Sequence, residues 1–494
     1  EAVSNITGGT HIAMTGGTAG NVQGGGYTAW GSKSVIDSTE VNISGGTVTL
    51  GNSGVLFAGV EAWKSGESGQ MNLSGDAKIV MDGTNSVLYA SSTDAGTDFV
   101  SLNISDNAGI TVNANKTGYI LARETNMSGG SVEVAGILTV AGKSKKGGVV
   151  DAGLPDVTTG GAFNLSGGAI TVADKGKLNF ATGGVNATLT GGSVTYNGGT
   201  DGQLAFHGLT LAGGALNGVD SLTVDSSAAP KGVSASTLTV GSNAAKADLT
   251  LTTLIQNAGA VAVNNGSLTV DSLNQSSGTL TVGGAGADGK LTVNTVLANQ
   301  TYVSSTGGIL VANQGMLEAG KTVLFGDNFN LKPGVNAIEV AVGGTLKVTG
   351  LGEEVTKAEL STIKNNILNS GSEGLLDLGT TSIKDMVSAD GTVKIGDAAN
   401  LNSDELKNAT GVGKKADVTG GVSGGFKDIK VTDADATSDQ VIVKDTLQLA
   451  GSTDGGVLAQ DKNNNALALQ VKDDKALTLG DSAKANQGMV GKVT

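Results

Sequence analysis

The chain has no cysteine, and in 494 residues it has only 3 prolines, 2 histidines, 2 tryptophans and an aromatic content of 3%. Without thiols there is neither a disulfide frame nor a thiolate zinc site. The two histidines, His11 and His207, stand far apart in sequence, which argues against a Ser-His-Asp centre. Asp201, His207 and Asp220 are sequence neighbours, but they read as incidental loop residues. Arg123 is the single arginine, and a formal charge of −14 repels phosphate backbones and anionic membrane surfaces. Nucleic acid is therefore not the expected partner. There is no run of eighteen apolar residues and no apolar leader core after Glu1, so the sequence reads as a processed or excised segment of something larger.

What is present is glycine, at 80 residues, together with abundant Val, Leu, Ile, Thr, Ser and Asn. Glycine without a period of three and without proline excludes collagen, and a hydrophobic content of 38% is too high for a disordered chain. A core of small aliphatic side chains rather than rings is long and thin.

One phrase supplies its geometry. "NISGGTVTL" at 42–50 returns as "NMSGGSVEV" from Asn126, "NLSGGAITV" from Asn164, "TLTGGSVTY" from Thr188 and, more loosely, from Thr210. Copies from Asn5, Asn72 and Asn103 carry one extra residue before the second apolar pair. Strand side chains alternate with period two, so an unabsorbed insertion would turn every following side chain outward. The extra residue must sit in the bend, where Asp76, Asn107 and their neighbours, like the Gly-Gly pairs elsewhere, tolerate positive φ. The phrase therefore reads strand, corner, strand.

The copies start at intervals of 37, 30, 31, 23, 38, 24 and 22 residues. A minimum near one coil, with excesses where loops bulge out, is the pattern of a solenoid. From about residue 220 the phrase shrinks to "SLTV", "TLTV" and "KLTV" strands, which continue the winding.

The expected fold is thus all-β, a parallel β-helix over 1–350, followed by a small mixed α/β segment over 351–494. In that segment Val355, Leu360, Ile363 and Ile367 fall at helical spacing within 353–369, and 402–411 reads as a second, shorter helix. Strands resume at 391–397, 445–451 and 475–481.

Candidate chemistry is sparse. Acids in the first 220 residues are spread singly, unlike the clustered carboxylates of hydrolytic solenoids. "GGAGADGKL" at 283–291 resembles a calcium-binding nonapeptide, yet Lys290 stands where an apolar residue belongs and no tandem copy follows. It reads as a glycine-rich turn. "DADATSD" at 433–439 reads as a solvated loop, with weak calcium binding as its alternative; no cofactor is expected. Asn-x-Ser/Thr triplets at Asn5, Asn42, Asn72, Asn103, Asn126, Asn164, Asn186, Asn274, Asn299 and Asn408 have a structural cause in the corner phrase, with glycan attachment as the second reading. Trp30, Phe57 and Trp63 gather the aromatic area of 30–63, either as a cap over the first coils or as an exposed aromatic binding patch.

The "SGGTVTL" corners, uneven coils, missing cysteine and acidic balance over 1–350 resemble the passenger region of bacterial autotransporter adhesins. That resemblance implies a right-handed parallel β-helix, extracellular on a Gram-negative cell surface, secreted across the outer membrane and non-enzymatic. It further implies attachment to host glycans or matrix, or self-association with identical chains, with no membrane insertion by this segment. The alternating strands and aromatic girdles of that family's membrane barrel do not occur in this sequence. Two other readings fit the same pattern: a subunit of a secreted filament or surface layer, and a carbohydrate-active β-helix such as a phage tail spike or polysaccharide lyase.

Overall fold

In the computed structural model the copies of the phrase from Asn42 onward each form one corner between two strands, or between two halves of one long strand, of a parallel solenoid, whereas Thr10–Met14 of the copy from Asn5 pairs with Ser38–Ile43 and sets Ala13 rather than Asn5 opposite Asn42. The structure describes residues 38–58, 68–90, 100–144, 160–284, 287–298 and 308–320 continuously, and elsewhere separate short strands from Val3–Ile6 to Lys492–Val493. The chain divides into two compact units, Glu1–Val261 and Ala262–Thr494.

In the first unit, from Ser38 to Leu211, a coil contributes three strands, and each strand stacks in register on its counterpart one coil earlier. The first face runs through Ser38–Ile43, Ser68–Leu73, Val100–Ile104 and the leading halves of Glu124–Val134 and Ala162–Val172. The second runs through Thr47–Leu50, Lys78–Met81, Gly109–Val112 and the trailing halves of the same two long strands. The third comprises Val55–Ala58, Ser86–Ala90, Thr117–Ala122, Ile137–Ala141 and Lys177–Asn179. All these pairings are parallel. Alternate side chains point inward, so Val41, Ile43, Val48, Leu50, Ile79, Met81, Ile110 and Val112 form a continuous buried column.

The inserted residue is absorbed where the sequence requires it. Ile79 pairs with Val48 below and Ile110 above, and Ile110 pairs with Val132, so alternation survives across these four coils. The positive φ falls on Gly75 and Asp106, at +52° and +54°, the immediate neighbours of Asp76 and Asn107 and within the bend the sequence marks. Uninserted corners use Gly46, Gly130, Gly168 and Gly192, all with positive φ. At Gly130 a Cβ would stand 2.1 Å from the Ala108 carbonyl oxygen, because successive corners nest directly on one another.

Few rings mean that those present must be placed well. Phe163 and Phe180, from one coil, meet edge-to-face with centroids 5.1 Å apart, and Phe206, from the next coil, stacks on Phe180 at 5.3 Å. Rings at this spacing add about 0.5–1.5 kcal/mol per pair beyond their burial.

In the second unit, Gly266–Gln275 pairs in parallel with Gly289–Ala298, followed by Met316–Gly320, Thr345–Thr349, Leu375–Asp377, Thr392–Lys394 and Ile429–Lys430. Parallel pairing is thus present among the described strands on both sides of residue 350. A short strand, Glu354–Val355, stands at the head of the stretch expected to be helical. Residues 356–369 and 402–411 lie outside the described residues. Further on, Gln440–Val443 pairs with Ala468–Val471 and Leu447–Gly451 with Leu477–Leu479, again in parallel.

Candidate functional site

The outward side of the first face carries the most regular chemistry in the described residues. Asn42, Asn72, Asn103, Asn126 and Asn164 occupy one register position in five successive coils. Each Nδ2 donates to the Oδ1 one coil below: Asn72 to Asn42 at 2.7 Å, Asn103 to Asn72 at 2.8 Å, Asn126 to Asn103 at 3.2 Å and Asn164 to Asn126 at 2.9 Å. A carboxamide has two donor hydrogens and two acceptor lone pairs, so a row that uses one of each passes hydrogen bonding from coil to coil. Glu124 accepts a further bond from Asn164 at 3.0 Å. The row continues in Thr188, Thr210 and Thr239.

Beside the amides runs a hydroxyl column at the corner. Ser128 donates to the Ile104 carbonyl, Ser166 to the Met127 carbonyl and Thr190 to the Leu165 carbonyl, at 3.4 to 3.5 Å. Both halves of the Asn-x-Ser triplet are thus used by the fold. Asn186 differs: it is exposed at the start of Asn186–Leu189, two residues before the row's Thr188 and opposite Ala162.

Acid and amide also alternate at the bends. Asn107 donates to Asp76, Asn113 to Asp82 and Asn257 to Asp225, at 3.0 to 3.3 Å. In the second unit Asn294 donates to Asp271 at 2.9 Å. Stacking an amide on a carboxylate satisfies the oxygen and keeps like charges from meeting at a spacing of one coil.

The third face has a different exterior. Along Ser86–Ala90 and Thr117–Ala122 both sides are buried: Leu88 and Ile120 face the core, while Val87, Tyr89, Tyr119, Leu121 and Ala141 form a separate outer cluster with Val55 packed against it. Burial raises the Tyr119 hydroxyl above its ordinary pKa. Phe57 is opposite Tyr89 in register, which places it in the row that continues to Leu121. Trp30 and Trp63 lie outside the described residues. Unbroken apolar runs such as Val55–Ala58 and "VLYA" are the sequence signal for strands buried on both sides, and they reveal this outer cluster.

The remaining candidates are dispersed. Asp201 is ion-paired with Lys231, and that hydrogen bond and charge hold its carboxyl below the usual range. His207 is exposed between the halves of Gln203–Leu211, and the Asp220 carbonyl accepts the backbone N–H groups of Thr252 and Thr253. Within 283–291 Gly284 and Ala287 form an antiparallel bridge, and Lys290 extends to Glu318 at 3.3 Å. Among the described residues no three His, Cys, Asp or Glu side chains converge as metal ligands. The described helices include none long and apolar enough to cross a membrane. No family model matches the chain, and no match is found among curated proteins or solved structures.

Proposed function

We propose that this protein is a non-enzymatic surface adhesin or structural solenoid of the autotransporter-passenger kind, extracellular on a Gram-negative cell, acting through attachment or self-association. The observation that carries this reading is the row Asn42–Asn72–Asn103–Asn126–Asn164, which holds amide groups in register along one outer face. Coil spacing in a parallel sheet is about 4.8 Å, so such a face offers many weak, evenly spaced hydrogen bonds to a repeating partner. Individually weak contacts that engage together suit avidity rather than a single tight site. Glycans, matrix polymers and a second copy of the chain all have the required repetition.

The test is to display the whole chain on cells that do not aggregate. Settling or retention on immobilised glycans should rise over undisplayed controls, and purified chain should leave candidate polysaccharides at full length. Reproducible shortening of a polysaccharide, or no change in settling and retention, would overturn this reading.

A further inference from the structure

We infer that the first unit contains a built-in mechanical lock, created by a reversal of strand order on its third face. Elsewhere on that face strands stack in chain order, each resting on the strand one coil earlier. Here the order changes. Residues 232–235 pair with 203–206 on one side and residues 233–235 pair with 222–224 on the other. Residues 221–224 then pair with 253–256. The stacking sequence is therefore 203–206, 232–235, 221–224, 253–256, and Ser221–Val224 rests above a strand that follows it in the chain.

The backbone bonds agree with that order. Gly232 N–H donates to the Gly202 carbonyl at 2.9 Å, Asp225 N–H to the Ala235 carbonyl at 3.0 Å and Asn257 N–H to the Val224 carbonyl at 2.9 Å. Parallel neighbours ordinarily need a connection of about a dozen residues or more, but these strands are short. Residues 225–231 suffice, since seven extended residues reach about 23 Å. The connection is tied down: Gln203, itself almost fully buried, donates to the Ala229 carbonyl at 2.7 Å, and Ala229 N–H donates to the Ser234 hydroxyl at 3.1 Å. Lys231 pairs with Asp201 in the coil below.

The consequence is topological. When a solenoid is peeled in chain order, the strand being removed normally has one neighbour left, because the other has already gone. Peeling from the C-terminal side reaches 232–235 while 221–224 still covers it and 203–206 still supports it. Peeling from the N-terminal side reaches 221–224 while 232–235 and 253–256 both remain. From either direction the strand must leave two ladders together. This lock is independent of the proposed ligand and would operate whenever this chain carries load.

Because the chain has no native cysteine, thiol handles can be placed at will. In single-molecule pulling of the whole chain, Thr200→Cys with Lys246→Cys brackets the reversed strands, while Ala114→Cys with Asp174→Cys brackets coils wound in order. All four positions are exposed. The first pair should give one rupture at a force roughly twice that of the second pair, since two interfaces break instead of one. Equal forces from the two pairs, or release of the bracketed segment in several low-force steps, would overturn the inference.

Discussion

At the residue scale, an asparagine in the central row acts as both donor and acceptor, and either role is lost with its amide. Asn103 is half-buried, donating to Asn72 and accepting from Asn126. Asn103→Ala should lower stability by about 1–2 kcal/mol, because each net hydrogen bond is worth about 1 kcal/mol and the orphaned partners still reach water. Asn103→Thr should be milder, since threonine fills the same position at 188 and 210 and favours strands. Denaturant unfolding of the three proteins checks the ranking; equal stability of wild type and the alanine variant would show that the row contributes nothing. The same residue demonstrates how a glycosylation triplet can be structural, since the nitrogen a glycan would occupy is already committed to the coil below.

At the scale of the strand, charges couple neighbours as the amides do. In the second unit Glu318 lies between Lys290 at 3.3 Å and Lys347 at 3.0 Å, each from a different strand. Burial pushes its carboxyl up, but the hydrogen bond from Lys347 and the charges of both lysines outweigh that and hold it below the usual glutamate range. A depressed folded value means that the stabilisation is present above the unfolded pKa of about 4.3 and fades as pH falls through the folded value. Wild type should therefore exceed Glu318→Gln in stability at pH 7, with the difference shrinking below about pH 4 and in high salt. A pH-independent difference in thermal unfolding would refute the coupling.

Strands are also where the sequence was most readable. Alternation in the corner phrase identifies Val48, Ile79, Ile110 and Val132 as one inward column despite the insertion, and all four are buried. The position of the left-handed residue was legible only to within one place, since Ser-Asp-Asn offers Asp106 and Asn107 as near equivalents. The outer cluster around Tyr89 and Tyr119 escaped because a search for alternating strands passes over runs that are apolar on both sides. The strand reversal left no local signal at all: "SLTV" at 221 is spelled like the strands that wind in order, and its place depends on neighbours far along the chain.

At the scale of the molecule, stability in each unit is a sum over coils and the contacts between adjacent coils. Asn72 and Asn103 open two coils of the first unit with the same register position, the same corner and the same inserted residue. Removing residues 72–102 joins Met71 to Asn103, whose surroundings match those of Asn72. The shortened protein should fold with an unchanged β-sheet circular dichroism band shape and a modestly lower unfolding midpoint; an unfolded or aggregated product would contradict the equivalence of coils. Because the amide row fits itself at any whole-coil step, the gene can lengthen or shorten by such steps without redesigning a core. Coil number becomes a quantity that recombination between near-identical segments can tune, one storey at a time.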